Sequence, residues 1–176
     1  AALYLAASGI GRITLADPDE VDLTNLQRQI LYRTEDIGRL KATAAQTALA
    51  RFNPEVSIVA LPERLAGAAL EQAVAAHDVV LDCSDNFATR HAVNRCCVAH
   101  RRPLVSGAAI RFDGQLAVFD VRSDDSPCYA CLYAEDSAPE EANCALMGIV
   151  APLTGVVGSL QALEALKLIA GAGTVT

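Results

Sequence analysis

From Gly9 onward, short β-branched runs alternate with longer stretches of helical periodicity. That alternation restricts the chain to strand and crossover-helix units on a mostly parallel sheet. Arg12 to Asp17 reads as a strand ending in an acid, and Val56 to Ala60 as the next strand. Between them Leu40, Ala44, Ala48 and Phe52, with Ala45 and Leu49 beside them, make one helical face that stops at Asn53-Pro54. Leu65 to His77 is Ala-rich and helical, and Asp78 to Cys83 reads as a buried central strand, apolar on both faces. Asp85 or Asn86 caps a helix running to about His100. Pro103 to Ala109 is a further strand, and a turn at Asp113-Gly114 leads into Gln115 to Phe119, so an antiparallel hairpin closes this side of the sheet. The alternation then breaks. Residues 122 to 150 are polar and irregular, a length of loop usually tied to function, before a glycine-punctuated helix from about Thr154 to Leu168. The fold class expected is α/β, a Rossmann-like doubly wound sheet, mostly parallel, with an antiparallel hairpin after the later strands.

Length supports a single domain over residues 1–176, since a chain of 18.5 kDa buries roughly 70% of its unfolded surface. The longest apolar stretches are interrupted by a charge or a glycine, so the mean hydropathy of +0.28 reads as a packed interior of a soluble protein with no membrane partner. Fourteen Lys+Arg against 21 Asp+Glu give a net charge of −7, which argues against a nucleic-acid partner. Any anionic ligand must be held locally, and Arg28, Arg33, Arg39 and Lys41 are clustered. The six cysteines are unevenly spaced in a chain with its own core, so a secreted disulfide framework is not expected and a cytoplasmic location is. The opening Ala1 to Gly9 has no initiator Met and no basic leader, and reads as the back half of a helix. The sequence is therefore expected to be an excerpt of a longer polypeptide.

Asp17 ends a strand where doubly wound folds hold a ribose through both sugar hydroxyls; a capping or solvated acid fits the position equally well. The glycine-rich turn that should precede it would lie before Ala1. Cys128 and Cys131 have the C-x₂-C spacing with which two thiolates grip one tetrahedral zinc. Only half a site is visible, and a redox dithiol or two free thiols are the alternatives.

A series of motifs is more specific. Asn25-Leu26-Gln27-Arg28-Gln29 is followed thirteen residues after Arg28 by Lys41. Then come Asp82-Cys83-Ser84-Asp85-Asn86, Ser106-Gly107-Ala108-Ala109, Gly114-Gln115, Cys128-Tyr129-Ala130-Cys131 and Gly155 to Glu164. In this order and over nearly the whole chain, the sequence resembles the ThiF/MoeB/HesA family of ATP-dependent adenylyltransferases, relatives of ubiquitin-activating enzymes. The resemblance implies activation of the C-terminal glycine of a ubiquitin-like sulfur-carrier protein, for molybdopterin or thiamine-thiazole synthesis. The carboxylate attacks the α-phosphate of ATP and pyrophosphate leaves. Such a reaction brings anions together, so the site needs cations and positioning more than a nucleophile.

By resemblance Arg28 and Lys41 contact the phosphates, Asn25 adds a neutral donor, Asp17 holds the ribose and Asp85 is the catalytic acid that holds Mg²⁺. Asp82 competes with Asp85, as a cap or a partner for loop amides. Arg33 and Arg39 are read as pairing with the neighbouring Glu35 and Asp36. The resemblance places a second C-x₂-C after Thr176, completing the zinc site, and gives Cys144 the place of a cysteine that bonds the carrier's C-terminus in the sulfur-transfer branch; a spare loop thiol is the other reading. Family members are usually homodimers. His77, His91 and His100 are read as surface residues, and Arg90, Arg95, Arg101 and Arg102 as the exposed side and end of one helix. In the last helix Val156, Leu160 and Leu163 form a core or dimer stripe, with Glu164 and Lys167 paired outside. Two other readings compete: an NAD(P)-dependent Rossmann oxidoreductase, and a non-catalytic scaffold related to activating enzymes. Ser106 to Arg111 look closer to the molybdopterin branch, Ala2 to Ala6 and Cys144 to the thiazole branch.

Overall fold

The computed structural model describes residues 1–135 and 148–176, which fall into two compact units, Ala1–Leu65 and Ala66–Thr176. In the first, helix α1 (Ala2–Ala7) ends at Ser8, and Gly9 follows at φ 76°, in the left-handed region that favours glycine. Strand β1 (Arg12–Ala16) pairs in parallel with β2 (Ser57–Leu61), Ile13 opposite Ile58. A parallel pair requires a crossover, supplied by α2 (Lys41–Phe52). Its buried residues are Lys41, Ala42, Ala44, Ala45 and Leu49, while Leu40 is 39% and Phe52 64% exposed. Ala44, Ala45 and Leu49 of the expected face are inward, while Leu40 and Phe52 at its two ends are not. Asn53 ends α2, and its Nδ2 donates to Ala6 O at 2.9 Å, occupying a carbonyl at the end of α1.

In the second unit α3 (Gly67–Ala75) leads to β3 (Val80–Asp82), and α4 (Phe87–Ala99) to β4 (Leu104–Ile110) and β5 (Asp113–Phe119). The sheet order is β3-β4-β5, with β3 and β4 parallel and β4 and β5 antiparallel. β3 was expected to be central. Among the described residues it hydrogen-bonds only to β4, and Val80 and Leu81 are only half-buried for that reason. The hairpin turn also differs from expectation. Ile110 pairs with Asp113, so the turn is Arg111-Phe112, with Arg111 at φ 51°. Gly114 lies within β5, and a Cβ there would come 3.0 Å from side-chain atoms of Leu153 and Val157, so this glycine serves close packing.

Those two residues belong to the last helix, α6 (Ala151–Ala170), which follows the short α5 (Tyr129–Leu132) and packs along β4 and β5. Of the core or dimer roles expected for the Val156, Leu160 and Leu163 stripe, its orientation removes the core one. Val157, Gln161, Ala162, Glu164, Ala165 and Leu168 face inward, and Val156, Leu160 and Leu163 are 56%, 41% and 48% exposed. By length and composition α6 could cross a bilayer, but its contacts with the sheet are those of a core helix. Its buried acid is satisfied: Glu164 accepts from Lys167 Nζ at 2.6 Å and from Thr176 N at 3.0 Å. After Gly171 (φ 62°) the chain folds back, and Val118 N of β5 donates to Thr176 O at 3.0 Å.

Candidate active site

In the first unit the candidate residues lie on the connection that leaves the carboxyl end of β1. Asp17 follows the strand directly, and its Oδ1 accepts Asp19 N at 2.9 Å. The chain then runs antiparallel to the entry of α2: Val21 N donates to Arg39 O, Gly38 N to Val21 O and Lys41 N to Asp19 O, at 2.8 to 2.9 Å. Gly38, at φ 82°, makes this return possible. Lys41 is therefore the first residue of α2, its side chain only 10% exposed, and its Nζ lies 2.9 Å from Asp19 Oδ2. A cation at the positive end of a helix is disfavoured by a few tenths of a kcal/mol or more. Asp19 offsets that, but its side chain is 62% exposed.

Tyr32 donates its hydroxyl to Lys41 O at 3.3 Å, and its phenol is raised well above the ordinary value by burial and by the nearby Asp17 and Asp36 carboxylates. Asp17, Tyr32 and Lys41 thus share one neighbourhood. Asn25 and Arg28 lie on the adjoining turn, capped by Asp22, whose carboxylate also feels the Lys41 charge. Asp22 Oδ1 accepts Thr24 Oγ1 and N, which lowers its pKa, and Arg28 Nη1 donates to Thr24 O at 3.1 Å. Arg39 pairs with Asp36 at 2.7 Å, as the sequence suggests.

In the second unit the turn after β3 carries two acids with different surroundings. Asp82 is 4% exposed. Its Oδ1 accepts Ser84 N and Oγ, and its Oδ2 faces Arg90 Nη1 at 3.4 Å and Ser106 Oγ at 3.4 Å. Asp85 is exposed, with Asn86 Nδ2 at 3.4 Å, and Asn86 caps α4 by accepting Thr89 N at 2.8 Å. Asp82 is thus fully engaged, whereas the Asp85 carboxylate fits a hard cation.

The turn is clamped from two directions that sequence reading missed. Arg90, expected at the surface, is 9% exposed and also donates to Ser84 O and Gly107 O. Gln161 Nε2 donates to Asp82 O at 2.9 Å and Val105 O at 3.2 Å. His91, also expected outside, is 5% exposed beside Phe87 and Tyr129. The signal for both was the spacing of Arg90, Val93, Asn94 and Cys97, which puts them on one buried stripe. A cavity of about 280 Å³ lies against this stripe, lined by Arg90, Ser106, Gln115, Phe119, Tyr129 and Tyr133 among others.

Cys128 caps α5 and Cys131 lies in it, so their Sγ atoms meet at 3.8 Å. Two corners of a tetrahedral Zn²⁺ site, with Zn–S near 2.3 Å, are about 3.8 Å apart, so the pair fits half of such a site. Burial raises the Cys128 thiol, but bonds from Asn94, Cys131 and the Ala130 and Cys131 amides outweigh it, and its pKa is lowered overall. Among the described residues no cluster of three or more Cys, His, Asp or Glu of metal-binding geometry is present. Cys144 lies outside the described residues.

Comparison with known proteins gives one consistent result. The chain is 51% identical over 174 residues to the sulfur carrier protein ThiS adenylyltransferase of Escherichia coli (strain K12), covering 99% of this chain and 68% of that protein. It is 47% identical over 176 residues to the molybdopterin-synthase adenylyltransferase of the same strain, covering 98% of this chain and 69% of that protein. Among solved structures, E. coli MccB with ATP superposes with a TM-score of 0.75 at 25% identity, over 96% of this chain and 51% of that one. The chain thus spans about two thirds of these curated relatives and about half of the solved one. The ThiF family profile matches residues 1–176, and with that agreement along its whole length the chain belongs to the ThiF family.

Proposed function

We propose that the protein adenylates the C-terminal glycine of a ubiquitin-like sulfur-carrier protein, using ATP. The carboxylate oxygen bonds to the α-phosphorus, the bond from that phosphorus to the bridging oxygen breaks, and pyrophosphate leaves with its electron pair. Family membership and the names of the relatives support the reaction class. The observation in this chain that carries it is Lys41: a lysine whose side chain is only 10% exposed, at the positive end of α2, with a solvent-facing acid as counter-charge. Such a group stabilises a phosphoryl chain far more than an exposed lysine would.

In this reading Lys41 and Arg28 bind the phosphates, Arg28 through its planar fork, and Asn25 donates a neutral hydrogen bond. Asp17 accepts from the ribose hydroxyls. Asp85 holds Mg²⁺, which when bound neutralises charge on the phosphate oxygens. Asp82, Arg90 and Gln161 fix the turn from which Asp85 projects. Cys128 and Cys131 supply two ligands of a structural Zn²⁺ whose other two come from outside residues 1–176. Cys144 serves the sulfur-transfer step. The outward stripe of Val156, Leu160 and Leu163 supports a homodimer. The described cysteines are all free thiols, which supports a cytoplasmic location.

The test is carrier-dependent exchange of labelled pyrophosphate into ATP by the full-length protein. Exchange with a sulfur carrier, abolished in Asp85→Ala at unchanged melting temperature, is the expected result. Absence of exchange with every carrier tried overturns the proposal.

A further inference from the structure

We propose that Asn94 is a positioning residue for the Cys128–Cys131 metal half-site, setting the first thiolate before the metal arrives. The inference rests on the zinc reading above. Asn94 is on the buried stripe of α4, 3% exposed, and both ends of its amide are used. Its Oδ1 accepts Tyr129 N at 2.9 Å, and its Nδ2 donates to Cys128 Sγ at 3.6 Å. Tyr129 N is one of the first amides of α5, which have no partner within that helix. One side chain from a distant segment therefore fixes both the backbone that carries the first cysteine and the direction of its sulfur.

The orientation of the amide is dictated by its neighbours. Turned over, it would set an oxygen against the sulfur and a donor against the Tyr129 N–H. The sulfur keeps lone pairs for a metal while accepting this bond, which restricts its rotamers. Groups that orient metal ligands in this way typically change affinity by 10–100-fold when replaced. α4 is a thirteen-residue helix, so Asn94 is placed by an element outside the segment that carries the two cysteines.

Two substitutions separate this role from simple packing. Asn94→Asp keeps an acceptor for Tyr129 N–H and puts an oxygen where the sulfur has a donor; Asn94→Ala removes both. In the full-length protein, zinc affinity is read by competition with a chromophoric chelator, and cobalt substitution reports thiolate coordination through its charge-transfer band. Both variants should bind zinc about 10–100-fold more weakly, a loss larger than the accompanying change in zinc-free stability read by denaturant unfolding. Affinities within twofold of the unsubstituted protein overturn the proposal. So does a loss of affinity matched by an equal loss of zinc-free stability, which would mark Asn94 as packing alone. If neither variant folds, NMR of the unsubstituted zinc-free protein decides: the Asn94 side-chain amide protons must show a nuclear Overhauser contact to the Cys128 β-protons, and its absence overturns the role. If the unsubstituted protein takes up no zinc, the zinc reading itself fails and this inference falls with it; the Asn94 role alone fails only when zinc is bound.

Discussion

Gly107 and Gln161 occupy two motifs far apart in the chain, and the structure makes them one contact. A Cβ at position 107 would lie 2.4 Å from Gln161 Cδ, 2.6 Å from Nε2 and 2.7 Å from Oε1. No backbone or rotamer adjustment of ordinary size accommodates three such approaches, so Gly107→Ala must expel the Gln161 side chain. The bonds to Asp82 O and Val105 O go with it, and Val105 is fully buried. Losing these bonds and straining the packing costs about 3 kcal/mol, taking about 1–1.5 kcal/mol per buried bond and a modest overpacking term. For a chain of this size that lowers the melting temperature by about 6–12 °C. The decisive assay is a double-mutant cycle by denaturant unfolding. With Gln161→Ala already in place, the three atoms nearest the new methyl group are gone. Gly107→Ala should then be neutral or stabilising by about 0.5–1 kcal/mol, because glycine weakens a strand interior. An equal cost of Gly107→Ala in both backgrounds would refute the contact as the reason for the glycine.

Lys41→Met should lower kcat/KM for exchange by at least about 100-fold, or about 2.7 kcal/mol. Stability should change by less than about 1 kcal/mol, because the Asp19 partner is exposed; retained exchange in a folded variant contradicts the phosphate role. Glu164 titrates below its ordinary value of 4.5: burial pushes it up, but bonds from Lys167 and Thr176 outweigh that. Its contribution is present above that value and lost as pH falls through the lower folded value, so Glu164→Gln should flatten the acid limb of a stability-against-pH curve. An unchanged limb would show that the carboxylate contributes nothing. In zinc-free protein, iodoacetamide near neutral pH should label Cys128 well before Cys97, whose thiol burial pushes up to about 12. Peptide mass spectrometry reads the order, and early Cys97 labelling contradicts it.

The strands, the crossover helices and the acid after β1 were legible because each depends on local periodicity. Inward polar residues were not. Arg90, Gln161 and Glu164 sit inside because Asp82, the Asp82 and Val105 carbonyls, and Thr176 satisfy them. These partners lie 8, 79, 56 and 12 residues away. A charge read without its partner is placed in solvent. The same blindness hid Asp19 behind Lys41, 22 residues apart, and Asn94 behind Cys128. Asp113-Gly114 mimics a turn signal, but Gly114 is small to admit Leu153 and Val157. Composition cannot separate a glycine needed for conformation from one needed for clearance.

The returning tail at Thr176 has a consequence for how β5 meets other molecules. Among the described residues β5 is the last strand of its sheet, and an outermost strand offers bare amides to any extended segment that passes. With the Val118 amide already occupied, the chain blocks its own outer rim against strand addition. Displacing residues 174–176 would free that amide and strip Glu164 of a donor at the same time.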